Sequence, residues 1–135
     1  MSNQGTIADP VRAKPEVDID TLISLNPELL DDSYVYVHCC FQNRWKDMLV
    51  RIWKTTYLID QATRSRSALI HAENISIAPM WTMVPDNREY TFLLIFGSLP
   101  ASCEVFDLLE DIALPSGFHV TGIRRNETDV YRVNI

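Results

Sequence analysis

Short runs in which apolar and polar residues alternate fill most of residues 33–135, and this alternation constrains the fold more than any other feature of the sequence. A period of two is typical of a half-buried β-strand, because successive side chains of a strand point to opposite faces. The clearest run is residues 33–41, whose two faces are Val35, Val37, Cys39 and Phe41 on one side, and Tyr34, Tyr36, His38 and Cys40 on the other.

Further runs follow at a spacing of roughly ten residues, each separated from the next by turn-forming residues. They are residues 47–60, 66–73, 80–84, 89–96, 103–110, 118–125 and 128–135. This pattern predicts seven to nine strands and, after residue 32, no long helix, which excludes a parallel α/β fold. Strands at this spacing form a β-sandwich or a small barrel, and we expect an immunoglobulin-like antiparallel β-sandwich. Asn126-Glu127 is expected to join the last two strands as a hairpin loop.

Residues 1–32 differ from the rest of the chain in charge. They hold seven Asp and Glu against two Lys and Arg, and therefore most of the net charge of −6. Pro10, Pro15 and their polar neighbours predict a partly disordered acidic arm, followed by a β-sandwich domain over residues 33–135. An apolar pattern in residues 18–30 predicts one or two short helical turns, which pack either on the domain or in a groove of a partner.

The charge and hydropathy of the chain bear on its partners and location. The net charge is −6 and the sequence pI is about 4.9, which argues against nucleic acid as the main partner. Arg44, Lys46, Arg51 and Lys54 lie close in sequence, but a solvated strand face explains them. No apolar stretch is long enough to predict a membrane span. The first residues do not resemble a secretory signal, so we expect a cytoplasmic protein.

The residues that usually carry chemistry do not form a recognisable site. Cys39, Cys40 and Cys103 are an odd set with one adjacent pair, which predicts buried thiols in a reducing compartment. No metal-ligand spacing, nucleophile elbow or glycine-rich phosphate loop occurs. The acids Asp107, Glu110 and Asp111 are expected to form a solvated strand end and not a Ca²⁺ site. The sequence therefore predicts no metal, no cofactor and no catalysis.

Aromatic residues give the one indication of binding. The candidate ligand or interface residues are Trp45, Trp53, Trp81, Tyr34 and Tyr36. Exposed rings of this kind bind protein partners or stack on sugars. We therefore expect a non-catalytic protein-interaction or structural module, with a carbohydrate- or small-ligand-binding domain that uses exposed Trp and Tyr as the alternative. The last strand, residues 128–135, is expected at a sheet edge, where a second copy could add a strand to form a homodimer.

Short motifs within residues 48–125 resemble a known family. In chain order they are Thr56-Tyr57-Leu58-Ile59-Asp60, Ala72-Glu73-Asn74-Ile75, Ala78-Pro79, Thr91-Phe92-Leu93-Leu94-Ile95-Phe96, Leu99-Pro100, Asp107-Leu108-Leu109-Glu110 and Gly117-Phe118. Their order is similar to that in a family of uncharacterised β-sandwich domains from Bacteroidetes-type bacteria. The chain departs from that family where it lacks a glycine in the turn at residues 61–66. The resemblance implies an immunoglobulin-like fold and brings no catalytic residues.

Overall fold

The computed structural model describes residues 6–7, 34–44, 46–86 and 88–135, and within them the chain forms ten strands and no helix. The strands are β1 (Thr6–Ile7), β2 (Val35–Gln42), β3 (Met48–Val50), β4 (Thr56–Asp60), β5 (Arg66–Glu73), β6 (Thr82–Val84), β7 (Glu89–Phe96), β8 (Val105–Glu110), β9 (His119–Arg124) and β10 (Val130–Asn134). The predicted all-β fold is confirmed.

Eight of these strands form one sheet in the order β1-β10-β2-β7-β5-β4-β8-β9, and β3 and β6 form a separate two-stranded ribbon. All neighbours in the large sheet are antiparallel except β10 and β2, which are parallel. Strands β1 and β9, at opposite ends of the order, also contact each other, so the sheet curls into a nearly closed barrel. The immunoglobulin-like sandwich stays a prediction.

Strand β5 joins the two halves of the barrel, which are β1-β10-β2-β7 on one side of it and β4-β8-β9 on the other. Its first residues pair with β4, and its later residues pair with β7. The register shifts between Leu69 and His71, at the point where β5 passes from one neighbour to the other. A bulge of this kind bends a strand and increases its twist, which lets one strand turn the corner between two halves of a sheet.

The core lies inside the barrel and follows the alternation of the sequence. In β2, Val35, Val37 and Cys39 are buried in the main core, whereas Tyr36 and the preceding Tyr34 belong to a second apolar cluster on the outer face. The other members of the outer cluster are Leu93, Ile95, Val130 and Ile70. The two faces predicted for this strand are thus confirmed, but the prediction that the strand is half-buried is wrong, because the outer face is buried as well. Burial of the inner face is the main source of stability for the sheet.

The predicted hairpin at Asn126-Glu127 is wrong, because β9 and β10 do not pair. Strand β10 lies between β1 and β2, so the prediction that it forms the sheet edge is also wrong. The side-chain oxygen of Asn126 accepts the backbone N–H groups of Thr128 and Asp129 at 3.1 and 2.8 Å. These bonds pair the backbone N–H groups of the loop with a side chain of the loop itself, so the loop is held without hydrogen bonds between β9 and β10.

Several predictions fall on residues that the structure does not describe. These are the helical turns in residues 18–30 and the candidate Trp45. Thr6 and Ile7, which belong to the predicted acidic arm, form strand β1 beside β10. Within the described part of the chain, no helix is long and apolar enough to cross a membrane.

Candidate functional site

The ribbon of β3 and β6 presents one face to the barrel and the other to solvent. Its register pairs Met48 with Val84, and Leu49 with Met83. Val84 is completely buried, whereas Leu49 and Met83 are 58% and 59% exposed. Because neighbouring residues of a strand point to opposite faces, Leu49 and Met83 together form an apolar surface on the solvent side.

Asn43, directly after β2, attaches this ribbon to the barrel. Its side-chain amide donates to the backbone carbonyls of Lys46, Val84 and Pro85 at 3.1, 3.3 and 3.0 Å. The residue is 1% exposed. A buried amide with several carbonyl acceptors satisfies backbone groups that would otherwise lose their hydrogen bonds to water, so Asn43 holds the two ribbon strands in place.

A cavity of about 360 Å³ lies between the ribbon and one end of the barrel. The ribbon contributes residues of β3 to its wall, and the barrel contributes Phe41 near the end of β2, Phe92 in the first half of β7, Glu110 at the end of β8 and Ile135 directly after β10. Strand ends from both halves of the barrel therefore converge here. The aromatic residues in the wall are Phe41, Trp53, Trp81, Phe92 and Phe118. The cavity is within the size range of ligand sites, and the mouth of a barrel is a common place for them.

Arg51 connects two of the tryptophans at the cavity. Its guanidinium carbon lies 3.8 Å from the ring centroid of Trp81 and 4.8 Å from that of Trp53. The Nη1 group also donates to the carbonyl of Pro79 at 3.3 Å. A guanidinium at these distances is attracted to the ring faces, which fixes the orientation of both indoles.

Glu110, the last residue of β8, brings a carboxyl group to the cavity wall. It is 6% exposed, and its Oε2 accepts the backbone N–H of Trp53 at 3.1 Å. Burial raises the pKa of Glu110, because the apolar surroundings disfavour the charged form. Hydrogen bonds from the backbone N–H groups of Trp53 and Phe118 lower the pKa of Glu110 in part. The site thus contains one buried carboxyl group in a mostly apolar wall.

The structure brings together two of the five aromatic candidates, Trp53 and Trp81, and leaves two others elsewhere. Tyr34 and Tyr36 are 1% and 6% exposed on the outer face of β2 and do not line the cavity. The fifth candidate, Trp45, is not described.

Arg51 and Glu110 are the residues that sequence reasoning missed. The expectation of a solvated strand end is wrong for Asp107 and Glu110, since Asp107 is only 7% exposed as well. It is confirmed for Asp111, which is exposed. Asp107 accepts hydrogen bonds from the side chain of Gln61 and the backbone of Gly122. The alternation in β8 indicates that Glu110 is buried, because Glu110 lies on the same face of the strand as Phe106 and Leu108.

Groups that carry metal or redox chemistry are not gathered at this site. Among the described residues, no three or more His, Cys, Asp or Glu side chains lie close enough to hold a metal ion. His71 and Glu73 form a pair, with Nε2 and Oε1 2.8 Å apart, on β5. The three cysteines are free thiols and buried, and burial raises the pKa of Cys39 and of Cys103.

Comparison with known proteins gives no match: no family model, no curated protein and no solved structure is detectably similar to this chain. The resemblance to a bacterial β-sandwich family therefore stays a prediction, and function has to be inferred from the site itself.

Proposed function

We propose that this protein is a non-catalytic interaction module that binds a protein partner through the β3–β6 ribbon and the cavity beneath it. In this proposal, an apolar side chain of the partner enters the cavity while neighbouring residues of the partner cover the ribbon.

One observation carries the proposal: the large apolar side chains that are exposed all lie around this cavity. Among the described residues they are Met48, Leu49, Met80, Trp81, Met83 and Leu114. Four of them line the cavity, Met83 is the cross-strand partner of Leu49, and Met80 precedes Trp81. Contiguous exposed apolar surface costs solubility unless a partner covers it, and methionine is frequent at adaptable binding surfaces.

The alternative hypothesis, a sugar-stacking platform, has less support from the geometry. Arg51 lies over the rings of both Trp53 and Trp81, so one face of each indole is occupied by the protein itself. The cavity wall is also mainly apolar, whereas sugars need many hydrogen-bonding groups.

Selection from a random peptide display library against the full chain tests the proposal. We expect to recover peptides with apolar anchor residues that bind wild-type protein and bind the double variant Leu49→Ser/Met83→Ser at least about tenfold more weakly. The matched control is Ala68→Ser, an exposed change on β5, which should leave binding unchanged. Peptides that bind the double variant equally well, or a selection that enriches none, would overturn the proposal.

A further inference from the structure

The second apolar cluster is buried although it lies on the outer face of the barrel. Ile95 and Val130 are 0% exposed, and Tyr34, Tyr36 and Leu93 are 1%, 6% and 8% exposed. Tyr36 is the cross-strand neighbour of both Ile95 and Val130, so these side chains lie side by side. An outward sheet face meets water unless another part of the protein lies on it. A part of this chain therefore covers the cluster.

The described residues do not supply this cover. Among them, Ile70 on β5 is the one further apolar residue that packs against the cluster, and it lies on the same sheet. Tyr34 and Tyr36 each have a partner in a hydrogen bond, a ring contact or an electrostatic interaction. The ring pairs formed between described residues include neither tyrosine. The cover is thus to be sought in the rest of the chain.

The strand order leads residues 8–33 to this cluster. They join Ile7, the last residue of β1, to Tyr34, which is itself a member of the cluster. Strands β1 and β2 lie on either side of β10, and β1 runs toward the end of β10 at which β2 begins. Two strand spacings are about 10 Å, which about three extended residues span. The inside of the barrel is filled by the main core, so the remaining length has room only outside.

The sequence of this connection contains apolar residues that suit such a cover. Most of them lie within residues 18–30, where they recur at spacings of three and four, as on one side of a helical segment. A short segment of this kind is not stable alone and needs a surface on which to pack. The residues are Ile19, Leu22, Ile23, Leu25, Leu29 and Leu30.

We propose that residues 18–30 pack on the outer cluster of their own chain, and that the apolar side chains of both form a second core outside the barrel. The outer face is then closed to other partners, in contrast to Leu49 and Met83 on the ribbon, which are more than half exposed. The cavity lies at the other end of β2, so this inference goes beyond the proposed function and does not depend on it.

Contacts between methyl groups in the intact protein test this inference. In an isotopically labelled sample, we expect nuclear Overhauser effects from Leu22 or Ile23 to Ile95 and Val130, because packed side chains approach within about 4–4.5 Å. In a mixture of labelled and unlabelled chains, a spectrum filtered for contacts between different chains should lack them. If the effects are missing from the first sample, residues 18–30 do not cover the cluster. If they occur in the filtered spectrum, a second copy supplies the cover, and the proposal is wrong.

The double variant Leu22→Ser/Ile23→Ser tests the same contact through solvent access. With a soluble paramagnetic probe, we expect the methyl signals of Ile95 and Val130 to broaden at least about twofold more than in wild type, because two apolar side chains no longer hold the segment on the cluster. The matched control Val11→Ser/Val17→Ser changes apolar residues of the same connection outside 18–30, and should match wild type. Equal broadening in the two double variants would overturn the proposal. The contacts in wild type need no substitution, so they decide the question even if a variant does not fold.

Discussion

The guanidinium carbon of Arg51 lies 3.8 Å above the ring of Trp81, at the mouth of the cavity. Trp81 is half exposed, so this contact holds a large aromatic ring in one orientation at the surface. A ring that is fixed before binding loses less conformational entropy when a partner covers it. Under the proposed function, Arg51 therefore holds Trp81 in the orientation that a partner would meet.

Replacement of Arg51 tests this role. We expect Arg51→Ala to lower the free energy of unfolding by about 1 kcal/mol, because it removes the contacts with Trp53 and Trp81. Urea titration followed by tryptophan fluorescence measures the change. The control Lys54→Ala alters an exposed cation of the same loop and should have little effect. Equal free energies of unfolding for the two variants would show that the contact with Trp81 contributes nothing to stability.

We expect Asn43 to contribute more to the stability of the ribbon than a single polar side chain usually does. Asn43→Ala removes the donor to the carbonyls of Lys46, Val84 and Pro85, and we expect a loss of about 1–3 kcal/mol. Hydrogen exchange should become faster in the ribbon strands β3 and β6 before it does in β7. Gln42→Ala, an exposed change one residue earlier, is the control. A uniform increase across the barrel would contradict a local role for Asn43.

The sequence predicted individual strands well because their signal is local. Residues 89–96 were predicted as a strand, and β7 has these bounds. The alternation in residues 33–41 also assigned Val35 and Tyr36 to opposite faces. Both results follow from a period of two, which neighbouring residues reveal without knowledge of the fold.

The arrangement of the strands and the composition of the site depend on long-range contacts, which periodicity does not contain. Trp53 donates to Glu110 across 57 residues of sequence. That pairing exists only because the end of β8 and the chain between β3 and β4 meet at the same end of the barrel. The position of β10 between β1 and β2 depends in the same way on residues from both ends of the chain. Two tryptophans of the site could be chosen by residue type, whereas Arg51 and Glu110 could not.

The raised pKa of Glu110 predicts that its ionisation destabilises the fold. Above the ordinary pKa of 4.5, the unfolded chain releases the proton while the folded protein retains it. The unfolded state therefore gains stability as the pH rises, until the pH exceeds the folded pKa. We expect the free energy of unfolding of Glu110→Gln, relative to wild type, to increase over this interval. Urea titrations from acidic to neutral pH measure the difference, and a difference that does not vary with pH would contradict the prediction.

Asp60 should show the opposite dependence on pH. Hydrogen bonds from the hydroxyl of Thr63 and the backbone N–H of Ala62 lower its pKa below the ordinary value of 3.8. The folded state therefore binds the proton less readily than the unfolded state, and stability is lost as the pH falls below 3.8. We expect Thr63→Val to reduce this loss, since it removes the largest cause of the shift. Acid unfolding followed by circular dichroism compares the two proteins, and superimposable curves would exclude this role for the hydroxyl.

Tyr131 allows the ring and the hydroxyl of one core residue to be tested separately. Its ring meets that of Phe106 edge to face, with centroids 4.9 Å apart and planes at 83°. Its hydroxyl donates to Asp129 at 2.9 Å and accepts the N–H of Asn126 at 3.0 Å. Tyr131→Phe keeps the ring contact and removes both hydrogen bonds, so we expect a loss of about 1–2 kcal/mol.

Two further variants complete this test of Tyr131. Phe106→Ala should cost about 3–5 kcal/mol because it leaves a cavity in the core. Tyr57→Phe removes a hydroxyl that has no hydrogen-bond partner among the described residues, and it should change stability by less than about 0.5 kcal/mol. Urea unfolding of the three variants measures these differences. If Tyr131→Phe costs no more than Tyr57→Phe, the hydroxyl does not stabilise the loop between β9 and β10, and the ring alone accounts for the contribution of Tyr131.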